Sequence, residues 1–342
     1  MKKRIALIID NDKWTFFNIA CNIKKALENY YDIDIFSSDI FDGNMAKMFL
    51  LCKDYDLIHF LWRGLLSLID TEGFEYIAKC LYFSKEEFVD KYINNKKITT
   101  SVCDHLYLND AEYNITKTIF KYVDNYFVTS NKLNEIYCNL KDIKNPYGII
   151  NDYVDDKLFK PTNLKRFDNI EKLCIGWVGN SKFKDSDKDE DLKGVNGIIK
   201  PAINELINEG YNIEMKFADR NEKLIPQSDM PNYYSTIHLY VCASKTEGTP
   251  MPLLESMATG VPIITTDVGI AREAFGSKQQ EFILKTRTKE ELKSRIVELI
   301  NNNNLLKELS RENIEQSKTW TWEKNIQKYK RFFDANINVE EL

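Results

Sequence analysis

The chain has 342 residues, 43% of them hydrophobic and 12% aromatic, and a formal net charge of −5. This is enough apolar material for two globular domains and excludes a disordered chain. It gives no overall basic field, so nucleic acid is not expected as a partner.

The opening MKKRIALIIDNDKW has a basic start, but its apolar run from Ile5 to Ile9 is too short for a signal peptide and stops at Asp10, Asn11 and Asp12. It reads as a first strand. No stretch approaches the roughly 20 apolar residues that cross a bilayer, so the expected location is the cytoplasm or, by peripheral contact, the inner face of the membrane. Seven cysteines (Cys21, Cys52, Cys80, Cys103, Cys138, Cys174 and Cys242) are scattered without a C-x-x-C, mostly in apolar surroundings, which predicts reduced, buried thiols and neither a disulfide framework nor a zinc site.

Strand-like runs follow at residues 4–10, 31–38, 56–62, 97–103 and 125–130, with a helix-like segment at 18–30. The pattern restarts with strands at 172–179, 211–218, 237–244 and 261–266, separated by helical stretches at 197–210 and 252–260. Strands alternating with helices predict α/β domains with parallel sheets. The expected division is 1–160, 161–317 and a final helical segment from 318, rich in aromatics (Trp320, Trp322, Tyr329, Phe332 and Phe333). That helix either packs on its own domain or crosses back to the first.

The segment SKTEGTPMPLLESMATG, 244–260, places Glu247 and Glu255 eight positions apart around a helix start, at the carboxyl end of a strand where open α/β sheets bind ligands. Thr249 is the expected N-cap, with Pro250 at the first helical position and Gly260 as the stop. Prolines remove two donors from the first turn, leaving the amides of Gly248, Thr249, Met251 and Leu253 for an anion. Taken alone, Glu255 reads equally as a solvated helix residue. IGWVGNSKFK, 175–184, runs a strand into a turn with Gly176 and Gly179, and Lys182 and Lys193 flank it as a diphosphate would require; the plainer reading is exposed lysine. In DSDKDED, Asp185, Asp187 and Asp189 have calcium-loop spacing, but Glu190 stands at the turn glycine and Asn196 at the final glutamate, which predicts an acidic loop rather than a metal site. Of three histidines, His59 and His238 lie in apolar strand patterns, whereas His105 follows a strand at its carboxyl end. The serine-hydrolase elbow, zincin and P-loop motifs are absent.

On these residues the chain resembles the retaining glycosyltransferases of family 4. EGTPMPLLESMATGVPIITTDVGIARE is similar to that family's E-x7-E segment, IGWVGNS, LKG and DMPNYYSTIHLYVCAS follow its further patterns in order, and YFVTSNKLNEIY, NPYGIINDYVDDKLFKP and TWTWEKNIQKY match more loosely. The resemblance implies an α/β fold of GT-B architecture, two facing Rossmann-like domains with the carboxyl-terminal helix crossing back to the first. It implies a nucleotide diphosphate-sugar donor, a glycan, lipid-linked or protein acceptor, and no metal or other cofactor. Lys193 is then expected at the diphosphate, Glu255 at the ribose and Glu247 at the donor sugar. His105 is expected near the reacting carbon, with its neighbour Asp104 in the same catalytic set. Two departures stand out. The glycine-rich turn after the first strand is replaced by DNDKWTFFNIA, which assigns Trp14 and Asn18 to the acceptor side. The family's arginine near the second glycine turn is missing, with Asn180 close to its place and Lys182 as the compensating cation. Arg220, in the loop 218–231, is the candidate on the nucleotide side. A nucleotide-sugar epimerase, a sugar phosphorylase, a silent binding module and a scaffold are the alternatives.

Overall fold

The structure is a computed structural model and describes residues 2–13, 15–182 and 191–337. It divides into two compact units, Met1–Asp152 with Trp322–Leu342, and Tyr153–Thr321.

Unit 1 holds a parallel sheet in the order β2-β1-β3-β4-β5, built from Lys3–Ile9 (β1), Tyr31–Ser37 (β2), Leu57–Phe60 (β3), Ile98–Val102 (β4) and Asn125–Val128 (β5). All of β3 and β4 is buried, as in a sheet covered on both faces, and the polar side chains of these strands pair inside it: Thr99 with His59, and Thr100 and Ser101 with the carbonyls of Phe60 and Leu61. The first helix runs Thr15–Leu27, three residues earlier than the periodicity predicts. Between β2 and β4 lie short helices that the strand pattern does not anticipate, among them Met45–Leu51, Glu72–Cys80 and Lys85–Tyr92.

The aromatic helix Trp322–Ile337 packs within unit 1. Its Phe332 and Phe333 are fully buried, their rings 6.0 and 5.4 Å from that of His59, and Tyr31 donates to Asp334 at 2.6 Å. Trp320, expected in this helix, is instead half-buried against the core of unit 2. Of the cysteines expected to be buried, Cys52, Cys174 and Cys242 are, whereas Cys103 is half-buried and Cys21, Cys80 and Cys138 are exposed, the last three lying in helices that present one face to solvent. The chain enters and leaves unit 2 side by side, the Val154 amide donating to the Trp320 carbonyl at 2.9 Å. The division therefore falls at residues 152–153 and 321–322, where the sequence pattern suggests 160 and 318.

Unit 2 holds a second parallel sheet in the order β10-β9-β8-β6-β7, from Leu173–Gly179 (β6), Ile213–Asp219 (β7), Leu239–Cys242 (β8), Ile263–Thr266 (β9) and the two-residue Ile283–Leu284 (β10). From β6 the chain adds β7 on one side and then β8 on the other, so the order reverses between β6 and β8. Crevices at such reversals are where open α/β sheets take ligands. The helical stretch expected at 197–210 begins with a π turn, Val195–Ile199, before the α-helix Lys200–Asn208. Ile198 and Ile199 both donate to the Gly194 carbonyl, and Pro201, which has no amide to offer, sits in the first turn that follows.

Candidate active site

Lys193 follows β6 and Glu247 follows β8, the two strands that flank the reversal. Lys193 Nζ meets Glu247 Oε1 at 2.5 Å, with about a fifth of each side chain exposed, and Ser244 Oγ donates to the same oxygen at 2.7 Å. Two glycines allow the backbones this close. Gly194 has φ +70° and a Cβ there would lie 2.4 Å from the Ala243 carbonyl oxygen; at Gly269, φ +51°, it would lie 2.2 Å from that of Gly248. Both positions need a residue without a side chain on two counts, the left-handed backbone and the contact. The Lys193 loop is thereby pressed on the end of β8, and the turn after β9 on the Glu247 loop.

The helix following Glu247 runs Met251–Thr259, with Pro250, not Thr249, at the N-cap position and no side-chain cap. The expectation of Thr249 as cap and Pro250 as first helical residue is corrected by one position. Pro252 has no amide to offer, and the Leu253 amide donates to the Pro250 carbonyl at 2.9 Å, so Leu253 is withdrawn from the donors expected to face an anion. Met251 holds the first helical position, whose amide has no acceptor within the helix; Gly248 is buried and Thr249 half-buried beside it. Gly260 ends the helix at φ +75° as expected.

Glu255 is not a solvated helix residue. It is 7% exposed, and Tyr234, from the short helix Met230–Tyr234, donates to its Oε2 at 2.7 Å. Burial pushes its carboxyl up from the ordinary 4.5 to about 7, against the opposing pull of the Tyr234 hydrogen bond.

At the end of β6, a Cβ on Gly179 would lie 2.9 Å from the Trp177 ring. The next turn is tied down by Asp219, 4% exposed at the end of β7, which accepts from the Ser181 amide and from the amide and side chain of Asn221. Burial works to raise the Asp219 carboxyl, but these hydrogen bonds prevail and hold it below the usual carboxylate range. Asn180 Oδ1 accepts from Asn221 at 2.6 Å and from the Lys182 amide at 3.0 Å, leaving the Lys182 side chain exposed. Arg220 is half-buried and its amide donates to the Gly179 carbonyl. Residues 185–190 of the acidic loop lie outside the described residues. Asp191, within them, caps the following turn by accepting from the amides of Val195, Asn196 and Gly197. The anion-binding end of that turn is thus occupied by the chain's own carboxylate.

In unit 1, His105 lies half-buried in the loop after β4. Its neighbour Asp104 is held from two segments of the chain. One carboxylate oxygen meets the Arg63 guanidinium at 2.7 Å and accepts from the Leu106 amide at 2.9 Å, and the other accepts from the Trp62 indole at 3.1 Å. Arg63, fully buried, also donates to the Leu106 carbonyl at 2.7 Å and faces the ring of Tyr107, whose φ is +61°. Asp104, expected in the catalytic set, thus takes one donor from its own loop and two from the segment after β3, and pairs with the Arg63 cation. His59 is 0% exposed, shares a hydrogen bond with Thr99 and stacks on Phe127; burial lowers it to about 3. His238 accepts from the Cys174 amide, and burial lowers it to about 4. Both act within the fold. Asn18 is half-buried in the first helix, its carbonyl accepting from Asn22, whereas Trp14 lies outside the described residues. Among the described residues no three His, Cys, Asp or Glu side chains converge as a metal site would need, and no helix is long and apolar enough to cross a membrane.

The structure places Lys193 against Glu247 and gives Glu255 its own partner in Tyr234. The sequence reading misses Tyr234, Arg63 and Arg287, whose contacts are long-range and carry no local pattern, and Asp191, whose cap on the amides of residues 195–197 is local.

Sucrose-phosphate synthase from Thermosynechococcus elongatus superposes with a TM-score of 0.66 at 15% identity, over 98% of this chain and 100% of that one. HepE of Anabaena, determined in complex with UDP, gives 0.65 at 12% identity over 98% and 100%. The fold is GT-B. Residues 221–316, which include both glutamates, match the family model for group 1 glycosyl transferases. Protein CapJ of Staphylococcus aureus is 28% identical over 236 residues, 63% of this chain and 52% of CapJ; the chain thus spans about half of that relative's length. The GT-B likeness covers both units, whereas the family match is confined to unit 2.

Proposed function

We propose that the protein is a retaining, metal-independent glycosyltransferase that moves a sugar from a nucleotide diphosphate-sugar to a hydroxyl acceptor in glycan, polysaccharide or glycoconjugate synthesis. The observation that carries this reading is the Lys193–Glu247 pair at the strand-order reversal, inside or beside the segment that matches the group 1 glycosyl transferases. A cation and a carboxylate set side by side suit the two halves of such a donor, its diphosphate and the hydroxyls of its sugar.

In this reading Lys193, Lys182 and the Met251 amide stabilise the negative charge that develops on the leaving diphosphate. The bond from the anomeric carbon to the diphosphate oxygen breaks while the acceptor oxygen approaches the same face, and the acceptor's proton passes to the leaving phosphate oxygen. Glu247 holds the donor sugar, Glu255 the ribose, and Arg220 serves the nucleotide side. By the resemblance His105 acts at the sugar, and Asn18 and Trp14 belong to the acceptor side.

The test is a calorimetric screen of the purified protein against UDP, GDP, CDP, ADP and dTDP, with and without magnesium. UDP is the first candidate, since HepE was determined with UDP and with UDP-glucose. Saturable binding of one diphosphate without metal, lost in Lys193→Ala, is the expected result; binding of none refutes the donor site. With the matching donor, NMR of the product distinguishes retention from inversion, turnover without an acceptor indicates an epimerase, and dependence on inorganic phosphate indicates a phosphorylase.

A further inference from the structure

Arg287 sits between β10 and the helix Lys289–Ile300, far in sequence from every residue assigned to the donor. Its guanidinium is directed at two backbone carbonyls on separate loops. Nε donates to the Ala243 carbonyl at 2.8 Å, and NH2 donates to the Asp191 carbonyl. Ala243 lies just past β8 on the way to Glu247; Asp191 lies two residues before Lys193. One planar side chain therefore ties together the two loops whose tips form the Lys193–Glu247 pair.

The surrounding contacts make this a rigid clamp. Ahead of Arg287, the Glu291 carboxylate accepts from the amides of Lys285 and Thr286 and from the Thr286 hydroxyl, fixing the segment from which the arginine projects. Beyond it, the Lys245 amide donates to the Leu192 carbonyl at 2.8 Å, and the Ala243 carbonyl that Arg287 holds is the atom against which Gly194 packs. Three connections thus converge on one short stretch of each loop, and Arg287 is the one made by a side chain.

We propose that Arg287 is a positioning residue for the donor site, holding Lys193 and Glu247 at the spacing that a nucleotide diphosphate-sugar requires. The proposal rests on the donor reading given above. Lysine cannot replace it, because an ammonium group on a flexible stem does not reproduce a fork aimed at two fixed acceptors. Loss of the fork separates the loops and costs affinity for the diphosphate as well as alignment of the sugar.

The test compares wild type, Arg287→Ala, Arg287→Lys and, as the reference for a lost donor site, Lys193→Ala. UDP binding is measured by calorimetry, and backbone hydrogen exchange is followed over 191–200 and 243–250. The expected result is that Arg287→Ala weakens UDP about tenfold or more, as loss of a charge-assisted hydrogen-bond pair implies. Both segments lose protection together, while the rest of the exchange map is unchanged. Methylguanidinium added to Arg287→Ala recovers part of the affinity, which a merely structural defect does not allow, and Arg287→Lys, which keeps the charge and most of the volume, stays folded and falls between. Wild-type affinity in Arg287→Ala, with or without loss of protection, overturns the proposal while leaving the donor reading standing. If wild type binds no diphosphate, the donor reading fails; joint loss of protection in Arg287→Ala then still demonstrates the clamp, and unchanged protection removes it as well.

Discussion

Replacing Glu247 with glutamine tests the arrangement of the donor half most directly, because it should have opposite effects on binding and on chemistry. Glutamine keeps the volume and can still accept from Ser244, so the loop is preserved; only the charge opposite Lys193 is removed. In the wild type an incoming diphosphate must draw Lys193 from a carboxylate 2.5 Å away and tolerate the repulsion of that carboxylate. Exposed ion pairs contribute about 0.2–1 kcal/mol, and breaking a buried one costs about 3–5 kcal/mol. With each side chain about a fifth exposed, a value of about 1–2 kcal/mol is expected, or roughly a five- to thirty-fold change in affinity. Free diphosphate should therefore bind Glu247→Gln more tightly than wild type by roughly that factor, and Lys193→Ala more weakly. Sugar transfer should nevertheless fall by about a hundredfold or more, as when a group directed at the transition state is removed. Calorimetry with the diphosphate and a coupled transfer assay on the same preparations measure both quantities. Unchanged or weaker diphosphate binding in Glu247→Gln, or transfer at the wild-type rate, refutes the reasoning.

Two further predictions concern the scaffold of the site. Between pH 4.5 and about 7 the folded protein holds a proton on Glu255 that the unfolded chain has released, so this group's stabilising contribution is full below that window and lost as pH rises through it, by at most about 3 kcal/mol. Thermal melts from pH 5 to 8 should show wild type losing more stability than Glu255→Gln, and parallel profiles would contradict the buried acid. Gly43 and Gly194 share nearly the same φ, +69° and +70°, but a Cβ at Gly43 meets nothing within 4 Å whereas one at Gly194 meets the Ala243 carbonyl at 2.4 Å. Gly43→Ala should cost about 1 kcal/mol, the price of left-handed backbone alone, and Gly194→Ala at least about 2 kcal/mol more, with loss of diphosphate binding. Equal losses in urea unfolding would show that the contact carries no weight.

The features legible in the sequence are those with a local period or a local exception. Apolar runs identify nine of the ten strands among the described residues, and the glutamates of 244–260 stand out because prolines and a glycine frame them. The two-residue β10 has too short a run to register, and the helices between β2 and β4 are brief and broken by residues such as Asp42 and Tyr82, which take positive φ. Partners are harder to read. Glu255 looks like an ordinary helix residue until Tyr234 is found 21 positions earlier, and nothing local to Asp104 announces its ion pair with Arg63, 41 positions earlier.

The same distinction explains why the Lys193–Glu247 pair forms at all. Lys193 and Glu247 are 54 positions apart, and nothing local draws them together. What does is the strand order: because β8 returns to the side of β6 that β7 left open, the loops leaving β6 and β8 emerge next to each other. Adjacency alone leaves several ångströms undetermined, and these are set by groups with no chemical role of their own. Gly194 permits backbone contact, Arg287 holds two carbonyls, and Asp191 consumes the amides that would otherwise attract the anion to the wrong place. The last of these limits where the diphosphate can go. With the turn at Val195–Gly197 already neutralised, the diphosphate is left to side-chain cations such as Lys193 and to the start of the Met251 helix, which is why Lys193, and not the helix that follows it, is the residue whose loss should abolish binding.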